Sequence, residues 1–210
     1  MKMKLEWLWG TLATLASVAL LAMVVSRVTA GLTCFTSEAW RRAAVAAEPR
    51  SVPNTLLQDE RGAQLWLHQL CGKVLVVDFV YTRCPTICGG LGAASSRLAQ
   101  ELQRLGVSDA VVLSVSFDPV NDTPDALSEF KLAMERAPSS WRLARPRQPD
   151  GSRRLLATFG VVALPDGAGG FEHNAALHVV DRNCRLARVL DVDDWAGAAQ
   201  VARRLSRGQP

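Results

Sequence analysis

The chain has 210 residues, which is enough for one domain with a complete core plus an anchor or a tail. Hydrophobic residues make up 49% of it and charged residues 21%, a composition typical of globular proteins that excludes general disorder. The net charge of +4 comes from scattered arginines rather than from a basic run, so nucleic-acid binding has little support.

The N-terminal segment contains an uncharged apolar run at residues 7–26, preceded by Lys2 and Lys4. A helix of that length can cross a bilayer, and the run is longer than the apolar region of most cleavable signal peptides. We therefore predict a transmembrane anchor in residues 1–30, with a cleaved signal sequence as the alternative. Either one exports the rest of the chain, so we expect a single-pass protein of a bacterial-type inner membrane with its domain on the periplasmic side. Cysteines can form disulfides in that oxidising compartment.

The segment after the anchor connects it to the body of the chain. We interpret residues 31–51 as a linker and the Ala/Arg-rich run at residues 38–47 as a short helix that serves as a solvated spacer. Residues 52–210 then form the exported domain. Its first predicted elements are two short strands within residues 55–67, on either side of a turn at residues 59–62.

A strand, a helix and a second strand follow. Val74–Val80 is apolar except for Asp78, which predicts a strand covered on both faces. Apolar residues spaced by three and four then predict a helix over residues 87–105. Residues 111–117 form the second buried strand. Thr123 supplies a capping hydroxyl directly before a proline, so a further helix begins there and ends before residue 138.

The C-terminal third completes the fold. A helix is predicted at residues 152–159, a hairpin of two strands at residues 177–181 and 186–190, and a closing helix at residues 195–205. This order is that of an α/β protein with a mixed sheet flanked by helices. A cysteine pair directly after the first buried strand of such a unit indicates a thioredoxin-like fold.

That cysteine pair, Cys84 and Cys88, lies at the start of the first domain helix, with one helical turn between the two thiols. Backbone amides at a helix N-terminus favour the thiolate. Thiolates bind Cu(I) and also attack disulfides, so the pair alone does not decide between a metal site and a redox site. A structural disulfide is the third alternative, but one helical turn closes too small a loop to stabilise much.

A metal site needs at least one more ligand, and the chain has three histidines. His173 lies in a glycine-rich loop, residues 167–174, that leads into the predicted hairpin. The first hairpin strand should lie beside the strand at residues 74–80 and antiparallel to it. The loop should therefore lie at the same end of the sheet as Cys84 and Cys88. We predict that His173 is the third ligand. His178 is one residue into the strand and should pack or hydrogen-bond within the sheet. His68 precedes the first buried strand and should lie at the surface of the opposite end.

Three stretches, "FVYTRCPTIC", "SVSFDPVNDTPDAL" and "FEHNAALHVVD", resemble motifs of the Sco/SenC family in the right order. Members of that family are thioredoxin-like copper chaperones of cytochrome c oxidase assembly, and the resemblance covers about residues 52–205. It implies copper ligands at Cys84, Cys88 and His173. It also implies a supporting role near the site for Asp118 and Asp122, although a turn and a helix cap would explain these two acids equally well.

The chain departs from the family pattern at several positions. Thr86 stands where the family often has aspartate. Glu172 and Asn174 flank the histidine where aspartate and serine are common, and the loop before it is short and rich in glycine. These departures concern copper affinity and partner docking, and they leave the three implied ligands in place.

The resemblance implies a membrane-anchored copper metallochaperone that delivers copper to the CuA centre of a cytochrome c oxidase. Its partners would be subunit II of the oxidase or its assembly factors, and a periplasmic thiol reductase that keeps the cysteine pair reduced. The alternative is an enzyme, a periplasmic thiol–disulfide oxidoreductase with Cys84 and Cys88 as its catalytic dithiol. His173 discriminates between them, because a reductase needs no imidazole over its dithiol. A peroxiredoxin-type peroxidase is more distant, since Tyr81 stands where its active-site proline is expected.

Two further cysteines are predicted to form a disulfide. Cys71 lies three residues before the first buried strand, and Cys184 lies three residues after the predicted end, at Asp181, of its antiparallel neighbour. Antiparallel strands place the start of one beside the end of the other, so these two residues should meet at the pole opposite the copper site. Cys34, in the linker, is left unpaired.

Overall fold

The computed structural model describes residues 2–29, 31, 36–84, 87–134, 137–167 and 169–209, and the side chains of residues 2–8, 11, 87 and 88 lie outside that description. The chain divides into two compact units, Met1–Ala44 and Val45–Pro210. Cys34 lies outside the described residues, so its predicted unpaired state stays a prediction.

The first unit is helical. Helix α1 (Lys2–Val28) covers the predicted apolar run, and several of its apolar side chains, such as Leu12, Leu15 and Leu21, are exposed. Within the part of the chain that the structure describes, no helix combines the length and the apolar character needed to cross a membrane. Helix α2 (Ser37–Ala47) begins in this unit.

The second unit is an α/β fold. Its elements, in chain order, are β1 (Arg50–Ser51), β2 (Leu56–Asp59), β3 (Gln64–Trp66), the 3₁₀ turn η1 (Leu67–Leu70), β4 (Val74–Val80), α3 (Ile87–Arg104), β5 (Ala110–Ser116), α4 (Pro124–Leu132), β6 (Trp141–Pro146), α5 (Pro149–Phe159), β7 (Ala163–Pro165), β8 (Phe171–His173), β9 (Leu177–Val180), β10 (Arg185–Leu190), η2 (Val192–Asp194) and α6 (Trp195–Ser206).

Eight of the strands form one mixed sheet in the order β1-β10-β9-β4-β5-β6-β2-β3. Strands β4, β5 and β6 are parallel, whereas β9 is antiparallel to β4 and β10 to β9. The β4–α3–β5 unit followed by the β9–β10 hairpin and α6 gives a thioredoxin-like arrangement, which confirms the predicted thioredoxin-like mixed sheet with flanking helices.

Strand β4 lies at the centre of the core, and all seven of its residues are buried. Successive side chains point to opposite faces of a sheet. On one face Val76 packs with residues of α3 and α6, such as Leu98 and Ala199. On the other face Val77 packs with residues of α5, including Phe159. Helices therefore cover the sheet on both sides, as the uninterrupted apolar run predicts.

Several local predictions are confirmed. Strands β2 and β3 pair around the predicted turn, and α3 and the β9–β10 hairpin lie where they were expected. The Thr123 hydroxyl accepts a hydrogen bond from the backbone N–H of Ala126 at 3.2 Å, so it is the N-cap of α4 as predicted.

Other predictions need correction. The solvated-spacer interpretation is wrong for the last turn of α2, because Val45 is fully buried in the core. Helix α5 begins at Pro149 rather than at residue 152. Strand β6 was not predicted, and residues Phe171–His173 at the end of the predicted loop form strand β8, which pairs with β7 in a separate two-stranded sheet. The contacts of β6 and β8 are with residues distant in sequence, which local patterns do not reveal.

Candidate metal centre

The cysteine pair follows the buried end of β4. Cys84 ends a short turn in which its backbone N–H donates to the carbonyl of Tyr81 at 3.3 Å, and its side chain is half-buried against the core. Cys88 is the second residue of α3, so the backbone places it in the first turn of the helix. Its side chain, together with Pro85 and Thr86, lies outside the described residues. Its role as a ligand therefore stays a prediction.

His173 is the last residue of β8, where it lies opposite Ala163 of β7. Its ring packs between two aromatic rings, with centroid distances of 5.0 Å to Phe117 and 6.2 Å to Tyr81. Both ring nitrogens are buried, and neither has a hydrogen-bond partner among the described residues. Burial lowers the pKa of His173, and a backbone contact with Asn174 partly opposes this shift. A lowered pKa favours the neutral imidazole, which is the form that binds metals.

The side chain of Tyr81 links β8, the strand that carries His173 (the histidine strand), to the turn at residues 81–84 that ends at Cys84 (the cysteine turn). The hydroxyl of Tyr81 donates to the backbone carbonyl of Phe171 at 3.1 Å and accepts from the N–H of the same residue at 3.2 Å. Tyr81 lies three residues before Cys84, and Phe171 lies two residues before His173. The structure thus brings β8 to the end of β4 from which the cysteine turn leaves.

Asp122 holds the cysteine turn through hydrogen bonds to Thr82. Its carboxylate accepts from the backbone N–H of Thr82 at 3.1 Å, from the Thr82 hydroxyl at 2.6 Å and from the Ser116 hydroxyl at 2.5 Å. Burial raises the pKa of Asp122, and the hydrogen bonds from Ser116 and Thr82 oppose that rise. Asp122 is therefore not a helix cap, since Thr123 caps α4, and its contacts are those of a residue that holds the turn in place.

Asp118 contacts the residue that directly precedes the first cysteine. It forms an ion pair with Arg83 at 2.9 Å and accepts from the side-chain amide of Asn121 at 2.9 Å. Asp118 is nearly buried, whereas the Arg83 side chain is half-exposed. The two acids of the "DPVND" motif thus hold the backbone and side chains of Thr82 and Arg83, which lie next to Cys84.

The donor set suits a soft metal ion. The described part of the site offers a half-buried thiol and a neutral imidazole whose nitrogens have no described partner. A buried polar atom without a partner is destabilising, and a metal ion would supply the missing interaction. Thiolate and imidazole ligands together favour copper over hard ions such as Mg²⁺.

The opposite end of β4 carries the predicted disulfide. Cys71 and Cys184 are bonded, with their α-carbons 5.4 Å apart, which confirms that prediction. His68 lies beside them, and the three potential ligand atoms are within 4.8 Å of one another. However, the two sulfurs are bonded to each other, and Nε2 of His68 lies 2.8 Å from the carbonyl oxygen of Val52. This cluster is therefore a closed structural feature rather than a metal site.

His178 lies where its position in the strand predicts. It is buried within β9, and its Nδ1 lies 3.1 Å from the carbonyl oxygen of Val77 on the neighbouring strand. Its ring packs edge-on against Phe79 and Phe159. It is a hydrogen-bonded sheet residue and belongs to the core.

Sequence reasoning missed two residues near the site. Tyr81 was considered only as a departure from a peroxidase motif, and Asn174 only as a departure from the family pattern. In the structure both make hydrogen bonds that fix the strand of His173. The one sequence signal from the family pattern was the deviation at Asn174. Tyr81 gave no such signal, because its contact joins residues 90 positions apart.

Comparison with known proteins gives a consistent result. The family model SCO1/SenC matches residues 47–207. The SCO1 protein homolog of Bacillus subtilis (strain 168) is 29% identical over 125 residues, which are 59% of this chain. That match spans 64% of the relative's own length.

Solved structures share the fold. Bradyrhizobium japonicum ScoI, solved with copper bound, has a TM-score of 0.63 and 21% identity over 74% of this chain and 99% of its own. BsSco, described as a member of the Sco family of cytochrome c oxidase assembly proteins in which a disulfide switch was identified, has a TM-score of 0.68 and 20% identity over 76% of this chain and 95% of its own. Since the family model matches well over half of the sequence and the fold agrees, this chain belongs to the SCO1/SenC family.

Proposed function

We propose that this protein is a copper metallochaperone that binds one copper ion through Cys84, Cys88 and His173 and delivers it to the CuA centre of a cytochrome c oxidase. The observation that carries the proposal is the state of His173. Its two ring nitrogens are buried without a described partner, on a strand that Tyr81 ties to the cysteine turn. A histidine of the core would have its nitrogens satisfied, as His178 does.

The cysteines supply the affinity for Cu(I). Cys88 lies in the first turn of α3, where unpaired backbone amides favour a thiolate, and Cys84 lies just before that helix. Two thiolates satisfy Cu(I), whereas the imidazole suits the harder Cu(II). Cys84 is half-buried rather than enclosed, so a docking partner can reach the ion.

The relatives support this assignment and its cellular context. One solved relative binds copper, and another is described as belonging to a family of cytochrome c oxidase assembly proteins. By extension, the partners of this chain are subunit II of an oxidase or its assembly factors, together with a thiol reductase that keeps the cysteine pair reduced.

Membrane attachment is part of the proposal. Residues 1–30 would act as the anchor, residues 31–44 as the linker, and the unit Val45–Pro210 as the domain on the periplasmic side of a bacterial-type inner membrane. The uncharged run at residues 7–26 and the exposed apolar side chains of α1 support this arrangement. Full-length protein should stay with the membrane fraction after carbonate washing, and a variant without residues 1–30 should be released. Release of the full-length protein would contradict the anchor.

Thiol–disulfide exchange is the second candidate function, and the disulfide switch identified in the relative BsSco supports it. In that case Cys84 and Cys88 would be the catalytic dithiol, and His173 would contribute nothing essential. The two functions therefore predict different behaviour for a His173→Ala variant.

The test is a titration of the reduced protein with Cu(I) and then with Cu(II), followed by metal analysis and absorption spectra. The wild type should bind one equivalent of either ion. A Cys84→Ala variant should lose stoichiometric binding, and His173→Ala should weaken Cu(II) binding more than Cu(I) binding. Unchanged Cu(II) spectra in His173→Ala, together with full reduction of a disulfide substrate, would favour the oxidoreductase instead.

A further inference from the structure

The strand that carries His173 is fixed on both sides of the histidine by side chains that the proposed function does not use. Tyr81 holds Phe171, two residues before the histidine, and Asn174 directly follows it. Neither side chain belongs to the implied ligand set, and both hold the short strand β8 to other parts of the domain.

Tyr81 is the sole tyrosine of the chain, and it is only 1% exposed. Its hydroxyl engages both backbone groups of Phe171, and its ring packs against the rings of Phe117 and Phe171 at 5.3 and 5.4 Å. Gly170 makes this approach possible. A Cβ at that position would lie 3.1 Å from the tyrosine hydroxyl and 2.5 Å from a carboxylate oxygen of Asp166.

Asn174, the residue that follows His173, is held by two side-chain hydrogen bonds. Its side-chain oxygen accepts from the backbone N–H of Val162 at 2.7 Å, and its side-chain nitrogen donates to the carbonyl of Gly160 at 3.0 Å. Its own backbone N–H donates to the carbonyl of Val162 at 3.3 Å. Gly160 is the C-cap of α5 and adopts a left-handed conformation. Asn174 therefore ties the histidine strand to the end of a packed helix.

These ties are needed because the local structure is weak. Strands β7 and β8 have three residues each and form a sheet of only two strands, which is marginal by itself in water. The buried ring nitrogens of His173 would also gain hydrogen bonds by turning out into solvent. Without external contacts, the histidine strand would therefore leave its position readily.

We propose that Tyr81 and Asn174 are positioning residues that hold His173 in its ligand position before copper arrives. This inference rests on the proposed function, because it assumes that His173 binds the ion. It adds that the histidine is preorganised by these two side chains rather than drawn into place by the metal.

The expected loss of copper affinity depends on the fraction of molecules in which His173 is in its ligand position. If a released strand is correctly placed only a fraction of the time, the apparent affinity falls by the same fraction. Each hydrogen bond to the strand shifts such an equilibrium by about three- to tenfold. We therefore expect the Cu(II) affinity to fall about tenfold in Tyr81→Phe, equivalent to about 1.4 kcal/mol, and by a similar factor in Asn174→Ala.

The experiment compares full-length wild type, Tyr81→Phe, Asn174→Ala and His173→Ala. Cu(II) affinity, Cu(I) affinity and the nitrogen hyperfine coupling in electron paramagnetic resonance are measured for each. Asn54→Ala is the matched control, because Asn54 also accepts a backbone hydrogen bond, from the N–H of His68 at the opposite pole. The positioning variants should lose Cu(II) affinity and part of the nitrogen coupling while keeping Cu(I) affinity. The control should match the wild type in all three.

A second measurement observes the metal-free protein directly. Incorporation of 3-fluorotyrosine labels position 81 alone, because the chain has no other tyrosine. Preorganisation predicts one sharp fluorine resonance that changes little in position when Cu(I) binds and broadens or splits in Asn174→Ala. Two exchanging resonances in the metal-free wild type, merging only on copper loading, would overturn the inference.

Different results would contradict the proposed ligand and the positioning role. If wild type and His173→Ala give the same nitrogen coupling and Cu(II) affinity, the proposed ligand is wrong and the inference falls with it. If His173→Ala differs from the wild type but Tyr81→Phe and Asn174→Ala do not, the ligand stands and the positioning role is wrong.

Discussion

Two cysteines and a histidine lie near each end of strand β4, and the two histidines are in opposite states. At the disulfide pole, formed by His68, Cys71 and Cys184, the sulfurs are bonded to each other and the histidine nitrogen reaches a backbone carbonyl oxygen. At the opposite end, which we call the copper pole because Cys84, Cys88 and His173 are the proposed copper ligands, the histidine nitrogens are buried without a described partner.

The difference shows that composition alone does not define a metal site. Two cysteines and a histidine close together are inert when their bonding capacity is already used within the protein. A site forms where the fold leaves that capacity open at a cost in stability. The disulfide pole is thus expected to govern stability, and the copper pole is expected to govern metal binding.

The largest expected effect on stability comes from opening the disulfide pole. The bond between Cys71 and Cys184 spans 113 residues, and replacing both cysteines by serine should lower the free energy of unfolding by about 4 kcal/mol, because the unfolded chain gains that much loop entropy. Denaturant titration of the metal-free protein measures the change. The matched pair Cys84→Ser, Cys88→Ser should lose less than about 1 kcal/mol. Equal losses in the two pairs would remove the distinction between the poles.

A second prediction concerns Asp78, which lies inside β4 between the two poles. Its carboxyl is fully buried and accepts hydrogen bonds from Ser95 and Ser114, and burial raises its pKa from 3.8 to about 7. Between these values the unfolded chain loses the proton and the folded protein keeps it. The free energy of unfolding therefore falls as the pH rises through this window, and the penalty is complete above about pH 7.

Asp78→Asn tests this dependence because asparagine does not ionise. Relative to the wild type, the variant should gain up to about 4 kcal/mol in the free energy of unfolding between pH 4 and pH 8. Denaturant titrations at several pH values give the difference. A gap between variant and wild type that stays constant across this range would show that Asp78 keeps the same charge in the folded and unfolded states.

The smallest predicted change has an unusual sign. Replacing His173 by leucine removes two buried nitrogens that lack a described partner, so the metal-free protein should become more stable by about 1 to 2 kcal/mol. The matched variant His178→Leu should become less stable, because His178 loses its hydrogen bond to Val77. Thermal unfolding of the metal-free proteins compares them. A loss of stability in His173→Leu as large as in His178→Leu would mean that His173 has an ordinary structural role.

The sequence predicts the central part of the fold well for a physical reason. Strand β4 and helix α3 have strong periodic patterns, and the disulfide follows from their antiparallel neighbour. Strand β6 was missed because Arg142 and Arg145 interrupt its apolar residues. These arginines pair with Asp59 and Gln58 on β2, far away in the sequence. Val45 was missed because a single valine in an Ala/Arg-rich helix gives no pattern.

The sequence also predicts some parts of the candidate site better than others. The place of Cys84 and Cys88 follows from the end of a buried strand and the start of a helix, which are local features. The environment of His173 does not, because it depends on Tyr81 and on residues around Gly160, which come from separate segments. Sequence motifs can therefore indicate candidate ligands, whereas only the fold shows which histidine has ring nitrogens without a hydrogen-bond partner among the described residues.

The most direct test of the account is the copper content of the two cysteine-pair variants, measured side by side with reduced full-length protein. We predict one equivalent of tightly held copper in the wild type and in the double variant Cys71→Ser, Cys184→Ser, and none in the double variant Cys84→Ser, Cys88→Ser. Copper retained by the latter pair, or lost by the former while it remains folded, would contradict the assignment of the metal site to the copper pole.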